Sequence, residues 1–174
     1  MNSRRVVRGL LLLFVYVLLP AVSRAQDNAS VNAQLNAAKP ILAKIKKDAA
    51  DMESYSRTSG LSWQTHATTL EKIKSDVNQL QESMRGLQSH RTVASPWQQD
   101  AIDRITTLAN DLATNMNAAI AQLTKSKSRP TAPPYPEYLK ANARIANDLS
   151  DEIDDVIDYG QTKAKTDSLA KQLS

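Results

Sequence analysis

Apolar and small residues recur along most of this chain in alternating steps of three and four, the spacing that keeps one face of an α-helix turned toward a partner. The first series runs Val31, Leu35, Ala38, Leu42, Ile45, Ala49 and Met52. A second follows with Trp63, His66, Leu70, Ile73, Val77, Leu80, Met84 and Leu87, and a third with Ile102, Ile105, Ala109, Leu112, Met116, Ala119 and Leu123, widened by Leu108 and Ile120. A fourth, shorter series turns Tyr138, Ile145, Leu149, Ile153 and Val156 inward. Two-residue alternation is missing and only 4 of 174 residues are glycine, so strands have no support.

Punctuation between the series fixes the element limits. Gly60, closing "RTSG", is a stop signal for the first helix. Ser62 can cap the second, and "SPWQ" at 95–98 supplies a capping serine, a proline at the first helical position and a glutamine three residues after the cap. Pro40 lies inside the first series without shifting its phase, which predicts a kink there or a helix end near Lys39. "SKSRPTAPPYP" at 126–136 reads as a linker biased toward polyproline conformation. The resulting helices cover about 29–58, 62–90, 96–127 and 136–159, followed by a weakly helical tail, 161–174, whose Leu169 and Leu173 fall out of phase with the preceding stripe.

Three helices of roughly 30 residues, joined by short connections, must lie antiparallel to their neighbours. The expected fold class is all-α: an antiparallel up-down-up-down four-helix bundle with coiled-coil-like packing and left-handed crossings of about 20°. Seams of this spacing also serve packing between chains, so self-association is a second use for them.

The strongest apolar run stands outside these series. Leu10 to Val22, broken by Pro20 and preceded by Arg4, Arg5 and Arg8, is shorter than the roughly 20 residues that span a bilayer. Ser23-Arg24-Ala25 then places small residues at the positions required for cleavage before Gln26. Residues 1–25 are therefore expected to be a signal peptide, leaving 26–174 as one helical domain with no membrane span after cleavage. Cleavage changes the charge picture. The whole chain has 22 basic and 18 acidic residues, and Arg4, Arg5, Arg8 and Arg24 depart with the signal, so the remainder is neutral and the case for a nucleic-acid partner disappears. What remains is uneven: 13 basic and 10 acidic residues over 26–129 against 5 and 8 over 130–174. The absence of cysteine removes disulfides, thiolate metal sites and a cysteine nucleophile, and with an export signal it fits a periplasmic or secreted bacterial protein.

Little else carries chemistry. His66 falls on the second seam and is expected in the core, because no histidine or glutamate stands three or four residues away on its face. His90 is placed to complement a helix C-terminus. Met52, Met84 and Met116 point inward with His66, but without a Cys-x-x-Cys-His motif they are read as core filler rather than haem ligands, and no cofactor is expected. "NDLSDEIDDVIDYG" at 147–160 puts Asp148, Asp151, Asp155 and Asp158 on one helix face, bordered by Glu152 and Asp154. These four are the weak candidates for a metal site or for docking a basic partner. The blander expectation is a solvated face answered by basic neighbours such as "KIKK" at 44–47. Phosphate-binding loops, nucleophile motifs and paired-carboxylate clefts are missing, so no catalytic residue is assigned and the chain reads as non-enzymatic.

"SPWQQDAIDRI" at 95–105, the proline-rich break, "Y-x-x-Y-L" opening the last helix at 135–139 and "IDYG" at 157–160 together give a resemblance. With the signal peptide, the chain resembles an uncharacterised family of small secreted bacterial all-helical proteins. That resemblance implies export and a helical fold and brings no activity. Trp97, inside the shared motif, is expected to cover a bundle end by stapling the loop against Trp63 or Tyr138. The functional expectation is an exported interaction or envelope-associated module with an unknown protein partner. The alternative is a metal-binding or metal-responsive periplasmic protein that uses the acidic face of the last helix.

Overall fold

A computed structural model describes residues 21–58, 62–127 and 132–173, with side chains from Ser30 onward. Residues 1–20, which hold most of the expected signal peptide, and Gly60, the expected stop of the first helix, lie outside the described residues. Those described form four helices and no strand: α1 (Ala21–Tyr55), α2 (Trp63–Ser89), α3 (Pro96–Lys125) and α4 (Tyr135–Leu173). Among the described residues no helix is long and apolar enough to cross a membrane.

Each helix starts or continues for a local reason. Ser62 Oγ accepts the backbone N–H of Thr65 at 3.2 Å and so satisfies one donor of the first turn of α2. At α3, Gln98 Oε1 accepts from Ser95 N at 3.0 Å and Ser95 Oγ at 2.8 Å, and Pro96 occupies the first turn, where its missing donor costs nothing. α1 is continuous through Pro40. Pro40 and Asn36 are both exposed, so the carbonyl that loses its intrahelical donor faces water.

The helices pack in a ring, α1 on α2, α2 on α3, α3 on α4 and α4 on α1. Partner numbers run in opposite senses across each interface. α1 meets α2 through Lys44–Asp76 and Asp48–Lys72, both at 2.8 Å. α2 and the turn after it meet α3 through Gln88–Thr106 and Arg91–Asp103. α3 meets α4 through Trp97–Tyr159, Arg104–Glu152 and Asn115–Asn142. Lys39–Asp154 links α1 to α4.

Inside the ring lies one core. All the expected seam positions of α1 and α3 are buried, as are those of α2 from His66 to Leu87. Each fully buried Leu or Ile contributes about 1.5–3 kcal/mol relative to exposure, so four aligned seams supply most of the cohesion of a chain without disulfides. On α4 the deepest aromatic is Tyr135, with no exposed surface, whereas Tyr138, the expected one, is half-buried. Phase explains it: Tyr135, Leu139, Asn142, Ala146, Leu149 and Ile153 form one stripe, and Tyr138 sits on its border.

Gly160 does not end α4. It is buried against α1 and α3, and a Cβ there would stand 3.4 Å from Asn32 Oδ1 and 3.4 Å from Trp97 Cη2. The segment expected as a weakly helical tail continues α4 unbroken to Leu173 with every residue exposed.

Candidate functional site

Polar and aromatic side chains gather at both ends of the bundle. At the end formed by the close of α1 and the starts of α2 and α4, His66 and Tyr135 are both fully buried, and His66 Nδ1 lies 3.1 Å from the Tyr135 hydroxyl. Tyr135 and Tyr55 set their rings edge-on to the imidazole, at centroid distances of 5.6 and 6.5 Å. Burial pushes the imidazole below its ordinary value of 6.5 and the phenol above its ordinary value of 10. Both groups are thus neutral near pH 7, and His66 Nε2 has no hydrogen-bond partner among the described residues. Shut away from solvent and bonded to Tyr135, the histidine links α2 to α4. Lys127 lies over the Trp63 ring at 4.6 Å and closes the same end from outside.

A second polar pair lies along the α1–α2 interface. Asp48 and Asp76 are buried, and each receives a lysine from the opposite helix whose own side chain is more than half exposed. The lysine stems cover the seam while their heads close on carboxylates. "KIKK" therefore does not answer the acidic face of α4: Lys44 pairs with Asp76, and Lys47 pairs with Asp51 one turn along.

The four candidate carboxylates of α4 do not converge. They step along the outer face, and among the described residues no group of three or more His, Asp or Glu is arranged to hold a metal ion. Asp148 is paired with Arg144 at 2.8 Å, while Asp151, Asp155 and Asp158 make no ion pair among the described residues. The bordering acids are answered across helices, Glu152 by Arg104 at 2.7 Å and Asp154 by Lys39. His90 lies apart, capping α2 with its ring Nδ1 2.9 Å from Gly86 O.

At the opposite end an open groove of about 320 Å³ lies between α3 and α4. Its wall is the Trp97–Tyr159 pair, edge-on at 4.9 Å, with Tyr159 54% exposed. Ala101 and Val156 form its floor, and Asp100, Asp155 and the Arg104–Glu152 pair form its rim. Trp97 thus meets Tyr159 and Gly160 rather than Trp63 or Tyr138, because α3 starts at the end where α4 passes Gly160 and both of the expected partners lie at the other end. The groove continues along the α3–α4 interface past Arg104 and Leu108 to Tyr138 and Ile145. Asp103, on its edge, is held below the usual carboxylate range first of all by the hydrogen bond from Arg91.

A partly buried Trp97 beside an exposed Tyr159, an apolar floor and carboxylates with no ion pair among the described residues can grip a side chain with an apolar stem and a cationic head. This groove is the candidate functional site. Asp155 and the "IDYG" tyrosine stood out in the sequence, but Asp100 and Arg104 join them only through the register of α3 against α4. Compared with family models, with curated proteins and with solved structures, the chain finds no match.

Proposed function

We propose that this chain is an exported, non-enzymatic protein that acts as an interaction or envelope-associated module. In this reading residues 1–25 are a signal peptide cleaved before Gln26, the protein works in the periplasm or outside the cell, and it is kin to the small secreted helical proteins that its motifs resemble. Its four helices make an antiparallel up-down-up-down bundle with coiled-coil-like seams, supported by the opposed numbering of partners across every interface. One observation carries the functional part: the interior is filled by the seams, while aromatic and carboxylate groups stand on the outside beside an open groove.

Cross-linking and retrieval from the native envelope test this. A specific protein should be retained by the exported chain and lost when Asp151 and Asp155 are changed to Asn. Turnover of a substrate in a broad hydrolase or transferase screen, abolished by a point substitution, would contradict it. Cation binding by the acidic face, the alternative, requires calorimetric affinity for Ca²⁺, Zn²⁺ or Cu²⁺ tighter than about millimolar. The spread of those carboxylates along one straight helix supports the interaction reading instead.

A further inference from the structure

We infer that the groove between α3 and α4 receives the projecting end of α4, residues 161–173, from a second copy of this chain. The inference names a partner for the groove and rests on the interaction reading above.

α4 runs 13 residues past Gly160, to Leu173, with every one of them exposed. A helix of that length is marginal in water by itself, because helices in proteins draw most of their stability from packing an apolar face. The segment has such a face, uncovered among the described residues. Leu169 and Leu173 are 51% and 89% exposed and stand one turn apart, in line with Thr162 and Thr166. The polar remainder is basic, with Lys163, Lys165 and Lys171 against Asp167.

The groove is complementary in both respects. Its acids are Asp100, Asp103, Asp111, Glu152 and Asp155; Arg91 answers Asp103 and Arg104 answers Glu152, which leaves Asp100, Asp111 and Asp155 without an ion pair among the described residues. Its apolar surface is the Trp97–Tyr159 wall, Leu108 and the half-buried Tyr138. From Trp97 to Ala118 it follows α3 for about 30 Å, and the projecting segment is about 20 Å long, at 1.5 Å per residue. The donor must be another molecule. α4 is itself one wall of the groove, and its end leads away from the bundle at Gly160, so the segment reaches its own groove only if the helix breaks. Two copies that exchange these segments reciprocally close into a two-fold dimer, with leucines on the groove floor and lysines among its carboxylates.

Sedimentation velocity of the full chain, purified after export, from micromolar to millimolar concentration tests this. Self-association is expected, weakening at least about tenfold in each of two exposed double variants, Leu169→Ser with Leu173→Ser and Asp100→Lys with Asp155→Lys. Unchanged helical circular dichroism shows that each still folds. Mixing Asp100→Lys, Asp155→Lys with a Lys163→Glu, Lys165→Glu partner should restore association between the two. A chain that stays monomeric overturns the inference, and so does association that the leucine variant weakens and the groove variant leaves intact, since the projecting segments then pair with one another. A monomer that still loses its envelope partner on the Asp100, Asp155 substitution overturns self-docking alone. A monomer that retains no envelope protein removes the interaction reading as well.

Discussion

Around His66 and Tyr135 the helices close over a hydrogen-bonded pair with no exposed surface, whereas around Trp97 and Tyr159 a groove lies open between α3 and α4 and α4 runs on past the bundle. The seams are equally regular at both ends. What differs is where each helix stops relative to its own stripe. At the closed end, α2 and α4 begin on the residues that bury, His66 within the first turn and Tyr135 at the first position, so both polar groups are sealed in and His66 Nδ1 is held by the Tyr135 hydroxyl. At the open end the apolar stripe of α4 finishes at Gly160 while the helix does not. Cohesion lies where stripe and helix end together, and recognition lies where they part.

The largest effects should come from the shared seams. Ile105→Ala or Leu80→Ala, both at fully buried positions, should cost about 2–5 kcal/mol in chemical denaturation, and a smaller loss would mean that the seam is loosely packed. At the closed end, Tyr135→Phe removes the hydrogen-bond partner that His66 Nδ1 has among the described residues and should cost about 1–3 kcal/mol. At the open end, Tyr159→Phe should stay within about 0.5 kcal/mol of the parent. Equal effects at the two tyrosines would erase the contrast.

Titration sharpens it further. Because the folded imidazole of His66 is held below its unfolded value near 6.5, the unfolded chain binds the proton more readily, and stability falls as pH drops from neutral through 6.5 toward the folded value. The slope should reach at most about 1.4 kcal/mol per pH unit, and His66→Gln should flatten that stretch of the melting-temperature profile. Smallest of all should be Leu169→Ala with Leu173→Ala, within about 0.5 kcal/mol in the dilute monomer, since neither leucine is covered.

The seams were legible in the sequence because a buried helix face imposes a period, and Val31 to Met52 or Ile102 to Leu123 carry it without interruption. Contacts between helices were not, since they depend on register. Trp97 shows this: nothing local tells that it meets Tyr159 rather than Trp63 or Tyr138. Tyr135 was hidden between Pro134 and Pro136, which blurred where the stripe of α4 begins. Gly160 read as a stop, because a glycine inside a continuing helix carries the same local signature as a terminating one. The candidate groove was half visible. Asp155 lies on a conspicuous stripe, with Glu152 at its border, but Asp100, Asp103 and Asp111 come from α3 across the interface.

Amide hydrogen exchange, followed along α4 at low and high protein concentration, tests the contrast between the two ends most directly. In the dilute monomer, amides from Leu139 to Ile157 should exchange only through global unfolding and those of 161–173 orders of magnitude faster, and on concentrating the protein the latter should slow together with the groove-lining turns of α3. Strong protection of 161–173 in the dilute monomer would contradict the account, because that segment would then pack on its own chain and the end taken here as open would be closed.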